Sequence, residues 1–488
     1  MGRKSRKKRE RREAKNPRQR FRPNTEYERP VDPATPSEGY LRRLCDRSFL
    51  TLWSYPNLFQ EPGKELCDTL IAFERTIILF SVKHCEFPNT GNLDLDWRRW
   101  YRRAIKKSAH QLFQAERWLR TQPGRLFVDA KCTKPFPLPL KVDANTVFHR
   151  VVVAHGASDR CRDLMGGSGS LMLSTDIVGD DHDKPREQGG SPFMVGQVDV
   201  VRGYVHVLGD TTLDVVLKSL DTVVDFTTYL DKKQRFLEAT SVTAAGEEEL
   251  LAYYLTHLNE AKEYDFVFDL GFTHLSIAEG HWDNFLTSPQ RASKRKADGP
   301  SYAWDDIIER TLKHFRQGTA HHTSSTLLAD EEAMLRQFAR LSRVKRRSVV
   351  ESLFDMLDKT RSPLHRRRVM LPSRSGDPYI VLVVMPRPPE QWRISYEQYR
   401  TVRRNLLEMC CFVVKSDYPE AEDIIGLAID GYDAGSQGMS EDLLYMDTRE
   451  WAAEAEAEAR RYKRTLGIFT TGTMVKDTVY DYPINDGK

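Results

Sequence analysis

The stretch Gly63–His84, GKELCDTLIAFERTIILFSVKH, decides how the chain is read. Two apolar runs, 65–73 and 76–83, flank the tight connection Phe73-Glu74-Arg75-Thr76, and this pattern predicts two antiparallel strands joined as a hairpin. Both runs carry charge: Glu65 and Asp68 in the first, Lys83 at the end of the second. A charge inside a sheet is costly unless it is paired or holds an ion. Period-two alternation puts Leu66, Asp68 and Leu70 on one face of the first strand, and Ser81 and Lys83 on one face of the second. The strand ends of such a hairpin lie side by side, so Asp68 and Lys83 can converge on one edge of the sheet. A cross-strand ion pair is the plainer alternative. Glu65 belongs to the opposite face unless a bulge turns it.

Outward from the hairpin, Leu41, Leu44, Cys45, Ser48, Phe49 and Leu52 recur at helical spacing, with Ser37 as N-cap and a stop near Ser54, ahead of Pro56. A long helix over 95–121 follows the hairpin, with Trp97, Trp100, Ala104, Leu112, Ala115 and Leu119 on its buried stripe and Pro123-Gly124 at its end. Further strands are expected at 125–130 and 148–154. A sheet with helices on either side is the economical packing for this order.

Hydrolysis of a phosphodiester usually uses a divalent ion held by carboxylates and a cation near the phosphate or the attacking water. Mg²⁺ takes oxygen ligands and keeps several waters, so one or two carboxylates suffice. The order helix, hairpin bearing Asp68 and Lys83, helix, strand resembles the PD-(D/E)XK nuclease superfamily, over roughly residues 37–155. The resemblance implies a restriction-endonuclease-like α-β-β-α-β core and a site in which Asp68 binds Mg²⁺ or Mn²⁺ and Lys83 orients or activates water. It also implies that Gln111, on the following helix, is aimed at the site, and that Glu38, on the first helix, joins the metal shell. The chain departs from the family at Ser81, where the motif carries a second acid; a hydroxyl is a weak, neutral ligand. Glu65 is the nearest substitute.

The helix after the hairpin is lopsided in charge. Arg98–Arg120 holds eight Lys/Arg against Glu116, and Arg98, Arg99, Arg102, Arg103, Lys106 and Lys107 form a candidate phosphate-facing stripe; a solvated helix face is the alternative. The net charge of +4 hides a second asymmetry, because residues 1–23 carry about +10. A basic arm on a mildly acidic body is a footprint of polyanion binding, or else a solubilising tail.

Other chemistries find little support. The seven cysteines include no CxxC pair, and the histidines show no HExxH or HxxxH spacing, which argues for reduced thiols in a cytoplasmic protein and against a zinc site. His321 and His322 are adjacent in a polar loop. Met165–Ser170 is Gly-rich but has neither the Walker A nor the dinucleotide pattern. Asp176, Asp180, Asp181 and Asp183 lack the EF-hand spacing. No apolar run of membrane-spanning length occurs, the N-terminus lacks the apolar core of a signal peptide, and Arg6 stands where a myristoylation signal needs Ser or Thr.

The expected organisation is mixed α+β. It comprises a disordered basic arm and linker (1–36), the nuclease-like core (37–155), a flexible Gly/Asp-rich loop (156–192), a mainly helical region (193–370) and a C-terminal αβ domain (371–488). In that last region a strand at Tyr379–Met385, a helix at 395–414 and a strand at 423–429 form one unit, with Asp423, Asp430, Ser440, Glu441 and Asp442 after or within its last strand. The expected function is metal-dependent cleavage of nucleic acid, DNA ahead of RNA, in microbial defence or repair; a protein partner or a homodimer is left open. The alternative is a nuclease fold that binds nucleic acid or acts as a scaffold without cutting, or a structural protein whose basic tail docks on RNA.

Overall fold

The computed structural model describes residues 36–268, 271, 273–323, 325–360, 364–374, 376–387, 393–431, 440–472, 475 and 481. The basic arm and the Ser37 side chain lie outside them. The chain divides into two compact units between Ala292 and Ser293, and both are mixed α+β.

The first unit opens with α1 (Pro36–Phe49), β1 (Ser54–Glu61), β2 (Lys64–Phe73) and β3 (Thr76–His84). A nearly continuous helix follows: α2 (Leu93–Tyr101), a π-helical turn (Arg102–Lys106) and α3 (Lys107–Thr121). Then come β4 (Val147–His155), α4 (Ser158–Met165), β5 (Met172–Val178), a 3-10 turn (Gly179–Asp183), β6 (Met194–Gln197), β7 (His206–Leu208), α5 (Thr212–Ser219) and α6 (Val223–Ala239). β8 (Ser241–Ala244), α7 (Glu247–Thr256), β9 (His274–Ile277), α8 (His281–Thr287) and α9 (Pro289–Asp298), which runs across the divide, complete the series.

The main sheet has the order β1-β2-β3-β4-β7. The β1–β2 and β2–β3 pairs are antiparallel, and β3, β4 and β7 run parallel. The central strands are buried on both faces, as the apolar runs Ile77–Phe80 and Val151–Ala154 require. Successive β4 residues identify what covers each face. Arg150 reaches Glu116 and the Phe113 ring on α3, whereas His149 lies 3.7 Å from Asp231 on α6. Phe49 of α1 packs between Phe80 and Phe226, so α1 joins α6 on the second face. A smaller sheet has the order β6-β5-β8-β9.

Three local readings are corrected. The expected first helix ends at Phe49, and Ser54–Glu61 is a strand although it contains Pro56. β1 is an edge strand, where a missing N–H is tolerated, so Pro56 was misread as a breaker. Residues 125–130 form no strand; Phe127 makes isolated bridges to Phe59 and Pro135. Within 156–192, read as a loop, lie α4, β5 and the 3-10 turn.

The second unit holds α10 (Tyr302–Arg316), α11 (Leu328–Ala339), α12 (Arg343–Lys359), β10 (Arg366–Met370), β11 (Tyr379–Met385), α13 (Tyr396–Asp417), β12 (Asp423–Asp430), β13 (Glu441–Asp447) and α14 (Ala453–Leu466). Its sheet has the order β10-β11-β12-β13, with β11 and β12 parallel and α13 crossing between them. Val381, Val383, Leu407, Cys411 and Ile424 sit in its core. The strand–helix–strand expectation holds here because an unbroken apolar run such as YIVLVVM can only be a buried strand at that length.

Candidate active site

The β2–β3 register pairs Thr69 with Phe80, which puts Asp68 level with Ser81 at the next position. The Val82 backbone N–H donates to Asp68 Oδ2 at 2.5 Å, and Ser81 lies near enough to favour the charged carboxylate. Ser81 thus lies on the same face as Asp68 and brings no charge. β3 and β4 pair Lys83 with Ala154, an Arg150-side residue, so Lys83 belongs to the face that α3 covers.

Burial raises the Asp68 carboxyl above its ordinary range; the Val82 N–H, Lys83 and Ser81 act against that, and the charge of Glu38 adds to it. Burial likewise pushes the Glu65 carboxyl up, helped by the charges of Asp68 and Glu38 and opposed by Lys83. Four charged groups from α1, β2 and β3 therefore share one electrostatic neighbourhood. Lys83 stabilises Asp68 by its charge without closing a contact ion pair within 4.0 Å, so the plain cross-strand ion pair is not formed.

Glu65 comes to this neighbourhood through irregularity. Leu58 pairs with Cys67 and the next β1 residue, Phe59, with Glu65, so Leu66 is an extra residue on β2. Such a bulge shifts the alternation by one, which removes the objection that Glu65, three residues before Asp68, must point away. Glu65 keeps its solvent exposure, and Glu38 and Lys83 are half-buried.

Gln111 is half-buried on α3. Arg120, at the other end of that helix, lies over Phe148 at the start of β4, so Gln111 lies toward the strand ends that carry Lys83. No hydrogen bond joins it to Asp68 or Lys83 among the described residues. Of the basic stripe, Arg102 binds Asp183, and Lys106 binds both Asp180 and Asp183 at 2.9 Å. Arg103 donates to the Arg99 and Glu86 carbonyls. Arg99 and Lys107 are exposed, and Arg98 is half-buried. Asp180 and Asp183 of the 3-10 turn are therefore partners of this stripe. Trp97 and Trp100 are buried, as a packing role requires.

Sequence reasoning missed a second constellation at the same end of the sheet. His155 Nδ1 lies 2.8 Å from Asp210 Oδ1, just beyond β7. Asp210 also accepts from the Gly156 and Ser158 N–H groups and from Ser158 Oγ. Burial opposes its ionisation, but the bonds from His155, Ser158 and Gly156 prevail and hold its carboxyl down at about 2. The available signal was positional: His155 and Asp210 directly end or follow parallel strands, where α/β sheets place ligands.

The fit of a divalent ion can be judged from the donors. Glu38, Glu65 and Asp68 supply hard oxygen ligands and an excess of negative charge, which suits Mg²⁺ or Mn²⁺. Among the described residues, no three His, Cys, Asp or Glu side chains stand close enough together to form a ready-made metal cage. Among the described residues, no helix is long and apolar enough to cross a membrane. No family model, curated protein or solved structure matches this chain.

Proposed function

We propose that the first unit is a metal-dependent nuclease of the PD-(D/E)XK type. The observation that carries this reading is the placing of Asp68 and Lys83 at one end of the β2–β3 hairpin, with the Asp68 and Glu65 carboxyls raised by burial and by neighbouring negative charge and opposed by Lys83. The strand order, with an antiparallel hairpin leading into parallel β3 and β4, adds support.

In this reading Asp68 is the fixed carboxylate, since Val82 holds one oxygen and leaves the other available. Glu65 and Glu38 supply the remaining protein oxygens. A bound Mg²⁺ or Mn²⁺ would neutralise the phosphate and lower the pKa of a coordinated water. Lys83 holds the phosphate or the attacking water by charge. Gln111 orients the site from α3. The arm at 1–23 and the exposed residues of the 98–107 stripe bind the nucleic-acid backbone, independent of sequence and sensitive to salt.

Purified protein incubated with plasmid, single-stranded DNA and RNA, in Mg²⁺, Mn²⁺ or EDTA, tests the assignment. Cutting is expected only with the metals and is expected to fall at least about a hundredfold in Asp68→Ala and Lys83→Ala, as for loss of a main electrostatic catalyst. Nucleic-acid binding without cutting under every condition would favour the second reading, a silent nuclease fold that binds or scaffolds. Ser81 motivates that reading, because a residue without charge stands level with Asp68 where the motif carries a second acid.

A further inference from the structure

We infer that His84 is a base-stacking platform beside the cleavage site, so that the substrate of this unit carries an unpaired nucleotide there; the inference rests on the nuclease reading. His84 directly follows Lys83 and, by alternation, lies on the opposite face of β3. It is exposed. Its ring stacks on His155 with centroids 5.9 Å apart and planes 29° apart, and His155 is the only aromatic partner of His84 among the described residues. The His84 ring is therefore flanked by His155, and the residue keeps an exposed surface.

The backing ring is fixed. Asp210 holds His155 Nδ1 at 2.8 Å and is itself saturated by the Gly156 and Ser158 donors. The two strand ends are locked together as well. The Cys85 N–H donates to the His155 carbonyl at 3.2 Å, and the buried Trp100 Nε1 reaches the Cys85 and His155 carbonyls at 3.0 and 3.3 Å. Gly156 has φ +101°, and a Cβ there would stand 2.2 Å from the Cys85 oxygen, so only glycine allows the strands to close at this point. An exposed ring on so rigid a support loses little entropy when it binds.

The alternation would also suit one nucleotide. A phosphate held at Lys83 would lie on one face of the strand end, and its base, one strand position on, would fall on the face that carries His84. Stacking of this kind requires a base released from a duplex, and it tolerates any base because each has a π-face.

The test uses full-length protein in EDTA, where cutting is blocked, and a single-stranded DNA oligonucleotide carrying 2-aminopurine. Binding is expected to quench the probe. His84→Ala is expected to lose the quenching and to bind about five- to tenfold more weakly, whereas His84→Trp keeps both. An abasic oligonucleotide is expected to bind wild type and His84→Ala alike. Unchanged affinity and quenching in His84→Ala would overturn the inference. So would rescue by His84→Lys but not by His84→Trp, which would make the residue a cation and not a platform. Quenching with no metal-dependent cutting would sink the nuclease reading alone; cutting without quenching would sink the platform alone.

Discussion

The notch formed by Asp68, Glu65, Glu38 and Lys83 and the polar knot around Arg403 are both clusters of charge at strand ends, and they are built on opposite terms. In the second unit Arg403 is fully buried with Asp430 and Asp442. Its Nε and Nη2 donate to Asp442 at 2.8 and 2.6 Å, and its Nη1 donates to Asp430. Arg387, Tyr396 and Tyr399 also donate to Asp430, and Arg400 donates to Asp442. Burial works against the Asp442 charge, but Arg403 and Arg400 prevail and lower its carboxyl. In the notch burial wins, and the carboxyls of Asp68 and Glu65 rise. A matched network holds a fold together; at Asp68 and Glu65, burial and neighbouring negative charge outweigh what Lys83 contributes. The acids of the C-terminal unit are therefore better read as structure than as a site.

The largest expected effect follows from that contrast. Removing one partner of a buried network leaves charge unpaired, so Arg403→Ala is expected to destabilise the protein by about 3–5 kcal/mol in urea unfolding. Asp68→Asn keeps an acceptor for the Val82 N–H and removes a desolvated charge, so it is expected to be neutral or stabilising by up to about 1 kcal/mol. Equal losses in the two variants would erase the distinction.

Next in size is the response to metal. An ion that binds only the folded notch raises stability by about 2.7 kcal/mol at a concentration 100 times its Kd. Mg²⁺ or Mn²⁺ is expected to raise the melting temperature of wild type and to leave the Asp68→Asn, Glu65→Gln double variant unmoved. A shift of the same size in both would move the ion to another site.

A third effect turns on pH. His149 and His206 are buried on adjacent strands with no hydrogen bond to His149 Nδ1, His149 Nε2 or His206 Nδ1. Burial lowers both, with Arg150 acting the same way on each and Asp231 opposing at His149; Lys233 and His149 add to the depression at His206. The unfolded chain binds these protons more readily, so the stability they contribute is full above the ordinary histidine value near 6.5 and is lost as pH falls below it. The notch has the opposite sign: with carboxyls raised in the fold, stability is gained as pH falls through their folded values toward about 4. His206→Phe is expected to flatten the first slope in pH-dependent unfolding, and Asp68→Asn the second.

Legibility followed the physics of each element. The hairpin and the β11–α13–β12 unit were readable because long apolar runs leave few alternatives. Charge in such a run is what singles out Asp68 and Lys83, and their placing on the paired strands was readable with the hairpin. The turning of Glu65 was not, since a bulge depends on how two strands pair and leaves no mark in either alone. β1 was hidden by Pro56, whose meaning changes between an edge and a central strand. His155 and Asp210 lie 55 residues apart and meet only because β4 and β7 are neighbours. The pairing of Lys106 with Asp180 and Asp183 was equally a matter of topology.

That pairing yields the smallest and sharpest prediction. Exposed ion pairs contribute about 0–1 kcal/mol, so Lys106→Ala is expected to change stability by less than about 1 kcal/mol. Its effect on nucleic-acid binding separates two views of the stripe. Lys107 is exposed and carries no ion pair among the described residues, so it is available to a phosphate, and Lys107→Ala is expected to reduce the salt slope of binding by about one. Lys106 already has two carboxylates, and releasing it would leave Asp180 and Asp183 facing the polyanion. Lys106→Ala is therefore expected to leave the slope nearly unchanged. Equal slopes lost in the two variants would mean that the 3-10 turn lets go when nucleic acid arrives, and that the contrast between matched and unmatched charge holds only for buried groups.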